Sequence, residues 1–159
     1  MGFVATAAAQ NYAVVDSEKI FKSIDAYNQA LKQLDELATK YQEEVDAKFE
    51  KVENLYNAYM QRKSTMSQAA QKANEDNIIK MEEEATKFQE SIFGTEGELM
   101  KKRLELIQPI QKKVFAAIEE YAKQKGYDMI IDVAQNATML YYSAKADKTT
   151  ELIAILKAE

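Results

Sequence analysis

The sequence predicts a mainly α-helical chain with a small β-body, organised around a long antiparallel helical hairpin. Three observations carry this. Apolar residues recur in alternating steps of three and four through Ile24, Tyr27, Leu31, Leu34, Ala38, Tyr41, Val45, Val52, Leu55 and Tyr59. The repeat is heptad-like and breaks only where Lys48 takes a seam position. It returns through Ile78, Met81, Ala85, Phe88, Ile92 and Leu99, then Ile107, Ile110, Val114, Ile118 and Tyr121. Beyond Gly126 the period switches from helical to alternating. At ~1.5 Å rise per residue each helical segment reaches on the order of 70 Å, against a radius of gyration of roughly 15 Å for a compact domain of this size. The helices must therefore project.

Composition narrows the function classes. At 159 residues this is one domain's worth of chain, 30% of it charged, with the Ala, Glu, Lys, Leu and Gln bias of a coiled coil in its middle. A two-helix hairpin has little interior, so stability is expected from the body at its base and from oligomerisation. The formal net charge of −5 argues against nucleic-acid binding. Charge is uneven: Lys101-Lys102-Arg103 and Lys112-Lys113 make residues 94–126 locally basic, while Glu82-Glu83-Glu84 is acidic. Solvated helix faces account for both, and a phosphate-bearing lipid headgroup at the basic patch is the alternative. The chain has no Cys, His or Trp, which removes thiol nucleophiles, serine–histidine triads and the usual zinc sites. No catalytic residue, cofactor site or metal site is expected. Paired carboxylates such as Glu43/Glu44 and Asp128/Asp132 have no pocket to work in, and Asp132 reads as a turn or body-surface residue.

Taken in order, residues 1–9 read as the end of a secretory signal, with an A-x-A site at Ala7 and Ala9 and cleavage before Gln10. An Ala-rich disordered start is the alternative. No stretch reaches the ~20 apolar residues of a spanning helix. Residues 10–159 form a single chain, with 12–24 and 110–159 as body and 25–109 as arm. Tyr12–Asp16 is a short β-prone run, and Ser17 opens a helix that continues into the first arm as far as Lys63. The tip falls at Ser64-Thr65-Met66-Ser67, where hydroxyls compete with the helical backbone and Ser67 can cap the return helix. One continuous helix is the alternative, since the tip lacks Gly and Pro.

Large apolar residues also flank the seam, so the apolar strip is wider than a two-helix contact needs. Phe49, Tyr56, Tyr59, Met60, Met66, Met81 and Phe88 are candidates for adaptable contacts with partners, with hairpin core as the alternative for each. Gly94 and Gly97 interrupt the return arm, and Pro109 is expected to kink it. Gly126 terminates the helix as a C′ residue. Residues 128–133 and 138–143 then read as two strands of a β-hairpin turned at 134–137, which Tyr12–Asp16 joins. Asp147 caps a last helix with Leu152, Ile153, Leu156 and Ile155 on its apolar face.

The ordered set resembles the Skp/OmpH family of periplasmic chaperones from Gln10 to Glu159. The residues that carry the resemblance are Val14-Val15-Asp16, Leu106-Ile107-Gln108-Pro109-Ile110, Lys125-Gly126-Tyr127-Asp128-Met129-Ile130-Ile131-Asp132 and Ala146-Asp147-Lys148-Thr149. The resemblance implies a homotrimer whose chains share a β-body, with three helical arms around a cavity. It implies an exported, soluble, ATP-independent holdase in the periplasm that sequesters unfolded outer-membrane β-barrel proteins. The oligomer body would draw on Val14, Met129, Ile131, Val133, Leu140 and Tyr142, and Gly94, Gly97 and Pro109 would lend the arms compliance. The best-known members are strongly basic whereas this chain is acidic, so lipopolysaccharide or membrane contact is in doubt. The rivals are a prefoldin-like cytosolic holdase and a coiled-coil spacer or adaptor of the cell envelope.

Overall fold

The computed structural model describes residues 11–135 and 138–158. The signal-like residues 1–9 and part of the expected turn, residues 136–137, lie outside the described residues. Two strands and five α-helices follow in the order β1 (Tyr12–Val15), α1 (Ser17–Lys22), α2 (Asp25–Arg62), α3 (Gln68–Phe93), α4 (Glu98–Lys125), β2 (Met129–Asp132) and α5 (Thr149–Ala158). They divide into two compact units, one of residues 11–30 with 107–158 and one of residues 31–106.

In the first unit β1 and β2 pair in parallel, Tyr12 opposite Met129 and Val15 opposite Asp132. On its other side, the Val14 N–H donates to the Ala146 carbonyl and the Val14 carbonyl accepts from Lys148 N–H, both at 2.9 Å. Ala13, Val14 and Val15 of this doubly paired strand are all buried. Two aspartates of the β2 segment hold the flanks of β1. Asp128 accepts from the Asn11 N–H at 2.9 Å, and Asp132 accepts from the Ser17 N–H at 3.1 Å and from the Ser17 hydroxyl. Against β1 and α1 pack Val114, Ala117 and Tyr121 of α4 and Leu152 and Leu156 of α5, closing a core on Val15 and Ile20.

Local chemistry sets the ends. Gly126 has φ +69° and is followed by the paired bonds of a Schellman stop, Gly126 N–H to the Lys123 carbonyl and Tyr127 N–H to that of Ala122. The Asp147 carboxylate accepts from the Thr149 N–H at 2.9 Å and from its hydroxyl at 2.6 Å, capping α5.

The expected β-hairpin does not form. Residues 138–143 are not a strand, and β2 takes the N-terminal strand as its partner. The apolar positions of β1 explain the preference: three consecutive buried residues suit a strand covered on both faces and paired on both edges. At the start of the helical region, α1 opens at Ser17 as expected, with Asp16 capping it by accepting from the Lys19 N–H at 3.0 Å, but the helix does not continue into the first arm. The helix stops at Lys22, where the Ser23 hydroxyl donates back to the Ile20 carbonyl at 2.7 Å, and α2 begins at Asp25.

In the second unit, α2 runs out and α3 returns. The contacts Lys48–Phe88, Tyr59–Glu75 and Lys63–Gln71 step down one helix as they step up the other, an antiparallel hairpin in constant register. Its seam buries Leu34, Val45 and Tyr59 of α2 and Ala85 and Ile92 of α3. Lys48, the residue that breaks the heptad pattern, places its ammonium 4.7 Å from the Phe88 ring centroid. The return is interrupted at Gly94-Thr95-Glu96-Gly97, between α3 and α4. A Cβ at Gly94 would lie 2.4 Å from the Glu90 carbonyl oxygen, and one at Gly97 2.4 Å from that of Ile92, so this turn needs both glycines. Pro109 lies inside α4 without ending it.

Burial raises the Asp132 pKa, but hydrogen bonds from Ser17 and Ala134 outweigh it, so the carboxyl stays below the usual aspartate range. Asp16 is lowered too, chiefly by the Lys19 backbone N–H. Their stabilisation is complete above the unfolded carboxylate range, and is lost as pH falls through about 4 and below. Urea titration of Asp132→Asn is expected to show a loss of about 1 kcal/mol at neutral pH that shrinks towards pH 3. A loss independent of pH would contradict the charge-based clamp.

Candidate functional site

The helical hairpin carries the candidate partner-binding residues. Its distal turn is a 3₁₀ segment, Lys63–Thr65, followed by Ser67, whose hydroxyl accepts from the Ala70 N–H at 3.3 Å and caps α3. The Gln71 side-chain amide donates to the Lys63 carbonyl at 3.0 Å and the Met66 carbonyl at 3.2 Å. Side-chain hydrogen bonds thus satisfy the reversing backbone, and no glycine is required.

Just inside the turn, Tyr59 donates its hydroxyl to the Glu75 carboxylate, and the Lys63 ammonium lies 3.3 Å from the same oxygen. The Lys63 ammonium also sits 5.2 Å from the Tyr59 ring centroid. Glu75 is held below the usual carboxylate range, first by the Tyr59 hydroxyl and then by Lys63. Tyr59 is raised in turn, mainly by its bond to Glu75. These three residues clasp α2 to α3.

The seven candidate residues fall into three groups. Tyr59 is only 4% exposed and belongs to the clasp, while Phe88 lies under Lys48. Phe49, Met66 and Met81 are half-buried. Tyr56 and Met60 are open to solvent, at 49% and 50% exposure. Further exposed apolar residues lacked a sequence signal strong enough to select them. The hairpin register brings Ile79 level with Tyr56, and Ile79 is 54% exposed. Nearer the glycine turn, Leu31, Phe93, Met100 and Leu104 are also exposed. Ile79, Phe93 and Met100 each stand beside a seam residue, whereas Leu31 is a seam residue left exposed.

In the other unit, Val14 is buried within the chain itself. Ile131, Val133 and Tyr142 are half-buried, and Met129 and Leu140 are exposed. Tyr12, Phe115 and Tyr141 join the exposed apolar residues. Asp128 and Asp132 both spend their carboxylates on the chain's own backbone. Among the described residues there is no metal-holding cluster of acidic side chains, and no helix is long and apolar enough to cross a membrane.

This architecture and sequence match a described family: the model of "Outer membrane protein (OmpH-like)" aligns with residues 11–156. The chain belongs to the OmpH-like family. One OmpH-like relative in fold is a protein from Caulobacter crescentus CB15 described as an OmpH-like outer membrane chaperone. Its crystal structure matches with a TM-score of 0.72 over 95% of this chain and 86% of that one, at 12% identity. At that identity the likeness is one of fold. An uncharacterized protein of Aquifex aeolicus (strain VF5) is 27% identical over 144 residues, covering 90% of this chain and 83% of that protein. The OmpH-like chain thus shares the fold of the Caulobacter crescentus structure.

Removing the Tyr59 hydroxyl should loosen the distal hairpin without touching the β1–β2 core. In Tyr59→Phe, amide hydrogen exchange is expected to quicken over residues 55–75 and to stay unchanged in α5. Equal acceleration in both regions would contradict a local clasp.

Proposed function

We propose that this OmpH-like chain is an ATP-independent holdase of the periplasm that sequesters unfolded outer-membrane β-barrel proteins and prevents their aggregation. The observation that carries the reading is the apolar surface left on the hairpin after its own seam is filled. Tyr56, Met60 and Ile79 are exposed in the distal part of the hairpin, and Leu31, Phe93, Met100 and Leu104 nearer the glycine turn. An unfolded β-barrel chain alternates apolar and polar residues, so many weak, non-directional contacts suit it better than one rigid pocket. Met and Tyr fit that role through a flexible thioether chain and an amphipathic ring.

The working unit is a homotrimer, with the β1–β2 unit as its shared body. Support comes from the small interior of that unit and from its exposed Tyr12, Phe115, Met129, Leu140 and Tyr141. Neither catalysis nor a cofactor is part of the reading. With a net charge of −5, the chain would hold its clients through apolar contact more than through basic charge.

The test dilutes a urea-unfolded outer-membrane barrel protein into buffer with and without the chain and follows light scattering. Scattering should be suppressed without nucleotide, with one client per oligomer. Tyr56→Ser/Met60→Ser/Ile79→Ser should hold the client roughly tenfold more weakly at unchanged helicity. Unchanged scattering with several barrels, from a folded oligomer, would instead favour a coiled-coil spacer of the envelope.

A further inference from the structure

The glycine turn between α3 and α4 opens a cleft of about 380 Å³ on the hairpin. Leu31 and Leu34 form one wall, and Ile92, Phe93, Leu99 and Met100 form the other. Leu34 and Ile92 are buried, whereas Leu31, Phe93 and Met100 remain exposed, so the cleft is apolar below and reachable from above. Asp35 and Arg103 also line it. Both are exposed, and neither forms an ion pair with the other or with another described residue. Some charges on this hairpin are spent on neighbours four residues away, such as Lys40–Glu44 and Lys80–Glu84. Asp35 and Arg103 instead present an acid and a base beside an apolar hollow.

The cleft exists because the helix is broken here. The backbone passes so close to the Glu90 and Ile92 carbonyls that only glycine fits at positions 94 and 97. A continuous helix would have been the more stable choice for an arm whose only task was to reach. Interrupting it separates Phe93 from Leu99 and Met100 and leaves the hollow between them and α2.

We propose that this cleft receives an aromatic side chain of an unfolded polypeptide, with Asp35 meeting a cationic residue and Arg103 an acidic residue beside it. The inference deepens the holdase reading and takes its ligand from it. Volume supports the choice, since the cleft is near the lower end of ligand-pocket sizes and suits a side chain rather than a folded element. Charge supports it as well. A guanidinium alone would suit any anion, but the carboxylate across the hollow disfavours a phosphate headgroup and favours a chain bearing both signs. The aromatic ring supplies the apolar area, and its few rotatable bonds keep the ordering cost low. The cleft would thus give an otherwise diffuse holding surface one point of defined preference.

The probe is the capped tripeptide Ac-Lys-Phe-Glu-NH2, titrated into the full chain carrying ¹³C-methyl methionine. The Met100 methyl resonance is expected to shift saturably while that of distal Met60 stays in place. Ac-Lys-Ala-Glu-NH2 should bind about tenfold more weakly. Arg103→Glu, at an exposed position, should weaken Ac-Lys-Phe-Glu-NH2 about threefold. Leu34→Trp should fill the hollow and abolish the shift. Parallel movement of Met60 and Met100, or no movement of either, would overturn the assignment, as would equal binding of the Phe and Ala peptides. Client aggregation is followed on the same samples. A silent cleft with aggregation suppressed overturns the cleft alone, whereas saturable peptide binding without suppression supports the cleft and overturns the holdase reading.

Discussion

The structure depends on a parallel pairing between two four-residue strands far apart in the chain, β1 at Tyr12–Val15 and β2 at Met129–Asp132. A parallel pair cannot be joined by a tight turn, so the chain between must leave the first strand and come back to the start of the second. Here that connection is the whole helical hairpin. So short a ladder needs reinforcement, and Asp128 and Asp132 provide it by bonding to backbone N–H groups on either side of β1. Residues 146–148 then pair with the other edge of β1, and Thr149 accepts from the Asp16 N–H at 2.9 Å. Strand, first helix and last helix are thereby tied at one point.

The hairpin obeys a different economy. Its seam is one layer deep, and its surface is laced with exposed ion pairs such as Lys32–Glu36, Lys72–Asp76 and Lys87–Glu83. Pairs of this kind keep a long helix soluble and add little stability. The specific interactions are concentrated at the end of the hairpin, in the Tyr59–Glu75–Lys63 clasp and the Gln71 bonds that close the turn. A hairpin closed at its tip and thin along its length can leave apolar side chains uncovered without losing its register. That combination suits a surface meant to be filled by something else.

Much of this was legible in the sequence because local chemistry wrote it. The positive φ at Gly126, the Ser67 cap, the Asp147 cap and the antiparallel arms all follow from residue types at definite offsets. What the sequence hid was pairing across distance. Residues 138–143 alternate well enough for a strand, but β2 prefers β1, a competition that a local pattern cannot decide. The split between α1 and α2 was hidden because no glycine or proline marks Ser23-Ile24. Exposure on the hairpin was harder still. Tyr59 sits on the heptad seam and Tyr56 beside it, but both read as candidate partner contacts; one faces solvent and the other lies in the clasp. The deciding fact is the position of Glu75 on the opposite helix.

The central claim is that the uncovered apolar residues of the hairpin are its working surface. Photo-crosslinking addresses it directly, with benzoylphenylalanine placed singly at Met60, Ile79 and Leu104 and, as exposed polar controls, at Gln42 and Gln89. Each variant would be mixed with an unfolded outer-membrane barrel protein and irradiated. Strong adducts at the three apolar positions and weak ones at the two controls are expected. Equal labelling at all five positions, or labelling confined to the controls, would contradict the claim.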